Sequence, residues 1–239
     1  MFITFEGPEG AGKSTQLTLL AAALERAGWA VQCLRDPGGT ALGDHLRALL
    51  LAPEIERLDA RAEALLYAAA RAQLVAEVVA PALQQARVVL CDRYVDSTLA
   101  YQGWGRGLPV AELRQVVRFA SGGYWPDLTL LLDLPPALGL RRKQAQRAAP
   151  TGAWTRFEAE PLAFHERVRA GYLALAAAEP QRWVVLDARE DIQALHARIW
   201  QEVVRRLPPP PGERSARRPS QHDVVTTAEH AAQPDEPVC

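Results

Sequence analysis

Eight residues near the N-terminus carry the strongest chemical signal in the chain. Gly7-Pro8-Glu9-Gly10-Ala11-Gly12-Lys13-Ser14 matches G-x-x-x-x-G-K-[ST] at every fixed position. Glycines let a backbone close around phosphate oxygens with its N–H groups turned inward, and a following helix N-terminus adds partial positive charge. In that chemistry Lys13 reaches the β- and γ-phosphates and the Ser14 hydroxyl ligates Mg2+. A chance match arises in roughly one such chain per hundred or fewer. Gly7 to Thr15 are therefore the candidate nucleotide-binding run. Of the 27 basic residues only Lys13 and Lys143 are lysines, so a chain that writes Arg nearly everywhere has kept an ammonium at position 13.

Such a loop needs a strand before it and a helix after it, and the pattern supplies both. Phe2–Glu6 is a short β-rich run, and the Ala/Leu-rich stretch 14–27 reads as a helix ending at Gly28. Further strands are expected at 30–34, 87–91, 127–133 and 183–186. Helices are expected at 41–51, 58–80 (with Pro81 starting or kinking a further piece), 96–101, 109–120, 135–146, 158–178 and 191–206. Strands alternating with helices indicate an α/β fold with a parallel sheet built from right-handed crossovers. From Pro208 on, four consecutive prolines open a polar tail without Trp, Phe or Tyr, which reads as a disordered C-terminal segment, 208–239.

Composition narrows the partners. At 239 residues, 49% apolar and 23% charged, the chain suits one α/β domain with a large core. A net charge of −1 argues against a general nucleic-acid binder. No apolar run approaches the ~18 residues of a membrane span, and Met1–Glu6 lacks the basic start of a signal peptide. Cys33, Cys91 and Cys239 are odd in number and widely spaced, as in a reduced cytoplasmic chain, and no histidine falls at zinc-ligand spacing to a cysteine.

The phosphate loop alone leaves motor, GTPase and small-molecule kinase open. No N-K-x-D guanine-reading motif occurs, and Arg35 and Arg93 follow strand ends, where α/β sheets place their ligands. The motifs FEGPEGAGKST (5–15), RDPGGT (35–40), LRALLL (46–51), YAAARAQL (67–74), CDRYVDSTLAYQGWGRG (91–107), PDLTLLLD (126–133) and TRFE (155–158) together resemble the thymidylate kinase family. The resemblance spans about 2–206. It implies the P-loop NTPase fold in its nucleoside monophosphate kinase form, with a five-stranded parallel sheet flanked by helices. The kinase domain would occupy 1–207, with a lid at about 141–157. It further implies transfer of the γ-phosphoryl of ATP to dTMP with Mg2+, in a cytoplasmic homodimer that engages neither membrane nor nucleic acid.

Carried over by motif, Asp36 helps hold Mg2+ and the acceptor ribose, and Asp92 is the Walker B-like carboxylate. Arg47 and Arg93 grip the acceptor phosphate. Tyr67 stacks on thymine, Arg71 and Gln102 bond the base edge, Ser97 lies near the base, and Tyr101 crowds the sugar 2′ position. Some relatives carry an Arg inside the phosphate loop where this chain has Gly10. The cation is then expected from the lid, from Arg142, Arg147 or, best aligned, Arg156. Thr155 stands where the family often has Asp, and Ala148–Trp154 fits the pattern poorly. Two alternatives remain at this stage: a kinase for another nucleoside monophosphate, and a P-loop ATPase or regulatory protein that works without an acceptor.

Overall fold

Five short apolar segments fix the architecture. The computed structural model describes residues 1–52, 54–55, 57–147 and 155–208. Strands β1 (Phe2–Glu6), β2 (Val31–Arg35), β3 (Val88–Asp92), β4 (Leu128–Asp133) and β5 (Trp183–Asp187) form one parallel sheet in the order β2-β3-β1-β4-β5. Every residue of β1 is buried, as the uninterrupted apolar run requires when helices cover both faces. Successive side chains alternate between two cores. Phe2, Val89, Cys91 and Leu131 face one, and Ile3, Phe5, Leu90 and Leu130 the other.

Helices α1 (Lys13–Arg26) and α9 (Ile192–Val204) cover the Ile3 side. The opposite side is covered by α3 (Ala60–Leu74), α4 (Ala80–Gln84), α5 (Val95–Thr98), α6 (Val110–Ala120) and α8 (Leu162–Ala178). Helices α2 (Ala41–Leu51) and α7 (Pro136–Arg147) complete the described set.

One boundary differs from the sequence pattern for a physical reason. Helix α8 starts at Leu162 rather than 158, because Pro161 disfavours helical geometry at the residue before it. Pro81 does not break its helix. A π-helical stretch, Val75–Val79, precedes it, and its wider winding carries the helix past Pro81 into α4, the further helical piece expected there. The continuous helix Ala60–Gln84 is long and apolar enough to cross a membrane by length and composition, contrary to the expectation that no such stretch exists, although it packs on α2 and α6 within the domain. The expected tail beyond Pro208 lies outside the described residues, as does Ala148–Trp154 of the lid.

Register brings the site together. Phe5 lies beside Asp92, and Asp92 beside Arg35. The chain leaving each strand is tied to its neighbour, with Asp36 N–H donating to Asp92 O and Arg93 N–H to Phe5 O, both at 3.0 Å. Glu6, Asp36, Asp92 and Arg93 thus sit along one edge, at the carboxyl ends of the strands.

Candidate active site

Helix α1 begins without a side-chain cap, whereas Thr40, Asp59 and Asp191 cap α2, α3 and α9. Its N-cap is Gly12 in the left-handed region (φ +87), a conformation glycine adopts without strain, so the first N–H groups stay free for an anion. Lys13 Nζ folds onto the loop, donating to Gly7 O (3.0 Å) and Pro8 O (2.9 Å). Burial, with repulsion from Arg93, pushes its ammonium down to about 8. Ser14 Oγ donates to Asp92 Oδ2 at 2.5 Å, which joins the loop to the end of β3.

The loop opens into a cavity of about 610 Å³. Its wall includes Glu9, Gly10, Gly12, Lys13, Ser14 and Thr15 on the phosphate-loop side. Opposite stand Asp36, Arg47, Tyr67, Arg71, Asp92, Arg93, Ser97, Tyr101 and Gln102. The structure therefore gathers fifteen of the sequence-derived candidates around one space. Gly7, Pro8 and Ala11 belong to the loop without lining the cavity.

Side chains from distant elements hold the far wall. Arg71 Nε donates to Asp36 Oδ2 (2.6 Å) and its Nη2 to Thr98 Oγ1 (3.0 Å) and Tyr94 O (3.2 Å), in a pair with virtually no exposure. Burial pushes the Asp36 carboxyl up and Arg71 opposes that shift. Asp36 Oδ1 and Arg71 Nη1 nevertheless lack a partner, which leaves one acceptor and one donor of a buried pair at the cavity. Gln102 Nε2 donates to Glu63 Oε1 (2.6 Å), and Arg47 Nη1 to Pro37 O (2.9 Å). Tyr101 and Gln102, consecutive in sequence, both reach the wall from a π-helical stretch, Leu99–Gly105, that continues α5.

Arg93 is the best-connected cation in the site. It is a non-glycine residue in the left-handed region (φ +68), which is strained by about 1 kcal/mol. Its Nη1 donates to Gly7 O (3.1 Å), Tyr172 OH (3.0 Å) and Ser97 Oγ (3.3 Å). Its Nη2 donates to Tyr101 OH (3.0 Å) and Glu9 Oε1 (3.3 Å). Burial raises the Glu9 carboxyl, but His165, Arg93 and Lys13 outweigh it and hold the group below the usual range.

The lid candidates divide. Arg142 Nη1 donates to Ala188 O (3.0 Å) and reaches Gly10 O (3.4 Å) on the phosphate loop. Arg156, expected at the transferring phosphate, does not line the cavity. It donates to Leu50 O (2.6 Å) and to Glu63, a fully buried carboxylate that draws Arg106 as well. The side chain of Arg147 lies outside the described residues.

The sequence pattern missed four participants. Tyr172 and His165 are buried partners of Arg93 and Glu9, and Glu6 accepts from Tyr172; all three read as strand and helix core. Lys143 lines the cavity and pairs with Glu158 at 3.5 Å. As one of only two lysines it was open to the argument applied to Lys13.

Comparison with known proteins places the chain in a family. The sequence profile of the thymidylate kinase family matches residues 5–199. The chain belongs to the thymidylate kinase family. Thymidylate kinase from Solidesulfovibrio magneticus is 56% identical over 202 residues, which cover 84% of this chain and 97% of the relative. That from Deinococcus radiodurans is 55% identical over 206 residues, 86% of this chain and 97% of the relative. A crystal structure of thymidylate kinase from Ehrlichia chaffeensis superposes with a TM-score of 0.67 at 31% identity, covering 85% of this chain and 98% of that one. Membership in the thymidylate kinase family brings the P-loop NTPase fold, and the five-stranded parallel sheet fits it.

Proposed function

We infer that this chain transfers the γ-phosphoryl group of ATP to dTMP, giving dTDP and ADP. The carrying observation is a family match over 5–199 in a chain whose uncapped phosphate loop opens directly onto an arginine-lined acceptor cavity. Phosphoryl transfer needs alignment and charge neutralisation more than covalent help. The loop N–H groups and Lys13 bind the β- and γ-phosphates. Arg93 and Arg47 hold the acceptor phosphate in line, and its oxygen is already ionised, so no strong general base is required. Tyr67, Arg71, Ser97 and Gln102 form the base pocket, Tyr101 crowds the sugar, and Asp36 faces the ribose. Arg156 serves as the lid cation once it leaves Glu63, and Arg142 steadies the loop from α7.

Ser14 and Asp92 are the residues that would hold Mg2+. Their hydroxyl and carboxylate oxygens converge at 2.5 Å, and such hard donors suit that ion. Among the described residues no group of three or more His, Cys, Asp and Glu side chains gathers to hold a metal unaided. When bound with ATP, Mg2+ neutralises charge between the β- and γ-phosphates.

The kinase domain is assigned to 1–207 with the lid at about 141–157, in a cytoplasmic enzyme acting on small nucleotides rather than on membranes or nucleic acid. Pairing with a second copy is supported by α3 and α6. They pack together, yet leave Leu65 59% and Phe119 90% exposed.

The test is diphosphate formation from Mg-ATP with dTMP, dUMP, AMP, CMP and GMP offered separately, beside a control without acceptor. Product mainly with dTMP is expected. Another preferred acceptor would remove the base-pocket roles of Tyr67, Arg71 and Gln102. ADP release without an acceptor would remove the transfer reading itself.

A further inference from the structure

We propose that Tyr172, on α8, is a positioning residue for Arg93. It orients the guanidinium toward the acceptor phosphate through a buried chain of hydrogen bonds that ends on Glu6. The proposal rests on the reading of Arg93 as the acceptor-phosphate grip.

Proton counting carries the argument. A guanidinium only donates, so the two hydroxyls that Arg93 Nη1 meets, Tyr172 OH at 3.0 Å and Ser97 Oγ at 3.3 Å, must present lone pairs to it. Their own protons then turn away from Arg93. Both hydroxyls reach Glu6 Oε2, at 2.7 Å from Tyr172 and 2.6 Å from Ser97 Oγ, and they lie 2.8 Å from each other, so the pair delivers its protons to Glu6 either directly or one through the other. The other carboxylate oxygen, Oε1, accepts from Tyr94 N–H at 2.8 Å, so the next turn of backbone after Arg93 fixes Glu6 in turn.

Glu6 and Tyr172 are fully buried, and neither lines the cavity. A phenylalanine would fill the Tyr172 site equally well as core, packed edge-on to Tyr101 at 6.2 Å. The hydroxyl is what packing does not require. It ties Arg93, which stands on a strained turn after β3, to a 17-residue helix on another part of the chain. Without that tie the guanidinium keeps Gly7 O and Ser97 Oγ on one nitrogen and Tyr101 OH and Glu9 Oε1 on the other, and it loses its hydrogen bond to α8. A misaimed arginine loses the two-pronged geometry that makes it a phosphate grip.

The test is steady-state kinetics on the full chain for Tyr172→Phe, Arg93→Ala and the double variant, with melting measured alongside. Tyr172→Phe is expected to raise the KM for dTMP about ten-fold or more, the lower end of the scale of one lost hydrogen bond to a charged group. The KM for ATP should stay within about two-fold, and Tyr172→Phe should add little once Arg93 is already Ala. An unchanged KM for dTMP, or an effect that adds in full to that of Arg93→Ala, overturns the positioning role and leaves the acceptor reading intact. If Arg93→Ala itself raises both KM values equally, the acceptor reading falls and the proposal falls with it. Should Tyr172→Phe not fold, Glu6→Gln carries the same test, because it withdraws one acceptor from the two hydroxyls.

Discussion

The two halves of the site are built on different principles. The phosphate loop is a contiguous run whose ligating groups are backbone N–H donors, one ammonium and one hydroxyl. The acceptor wall is assembled from side chains on the turn after β2, on α2, α3, the end of β3, α5 and the π-helical stretch after it, and Asp36, Arg93 and Gln102 are each held by another side chain. A backbone site depends on conformation and tolerates change around it. A side-chain lattice depends on partners, and the loss of one member leaves another buried and unmatched. The contrast implies that damage to the loop should appear in turnover, and damage to the wall in stability and acceptor binding.

The largest expected effect is Lys13→Ala. Turnover should fall by about 10³-fold, the scale of a lost charge stabiliser at a transferring phosphoryl group. Burial already disfavours the Lys13 ammonium, so the variant should melt at or above the parent temperature. A melting loss as large as that of a wall variant would erase the contrast.

Arg71→Ala comes next. It strips the partner from Asp36, which has virtually no exposure, and should destabilise the fold by about 3–5 kcal/mol. Chemical denaturation measures this, and a change below about 1 kcal/mol would mean that water replaces the guanidinium at little cost.

The smallest is a pH effect. Burial, with the Asp96 charge beside it, pushes Glu6 up to about 7 from an ordinary 4.5. The folded state therefore binds this proton more tightly than the unfolded state. Its contribution to stability is full below pH 4.5, declines as pH rises to about 7, and is flat above that, by about 3 kcal/mol in all. Glu6→Gln should flatten the melting profile across that window. Parallel profiles for parent and variant would show that the carboxyl is not buried in the way described.

The same division explains how much was legible in the sequence. The loop could be read because its residues are neighbours, and the parallel sheet could be read from alternating elements because crossovers have one hand. The family motifs also located Asp36, Arg71, Arg93 and Gln102 on one cavity. The partnerships could not be read. Asp36 and Arg71 are 35 positions apart, and Glu6 and Tyr172 are 166 apart. No local pattern says that a tyrosine in an apolar helix turns its hydroxyl to an arginine. The π-helical stretch Leu99–Gly105 was likewise hidden, since 3.6-residue periodicity stops at a change of winding without specifying the new one. The hold of Glu63 on Arg156 escaped for the same reason, because a buried carboxylate gathers cations from anywhere in the chain.

Gly10 constrains how this chain can change. A Cβ there would lie 2.3 Å from Gly139 O, and a Cβ on Gly139 would lie 2.1 Å from Glu9 O, so the loop and the first turn of α7 meet backbone to backbone. An arginine at position 10 cannot be seated in this chain by that substitution alone. It would require α7 to withdraw first, and with it Arg142, whose guanidinium bonds Ala188 O and reaches Gly10 O. The shape of the loop at position 10 is therefore tied to the seat of a whole helix, and neither can change without the other.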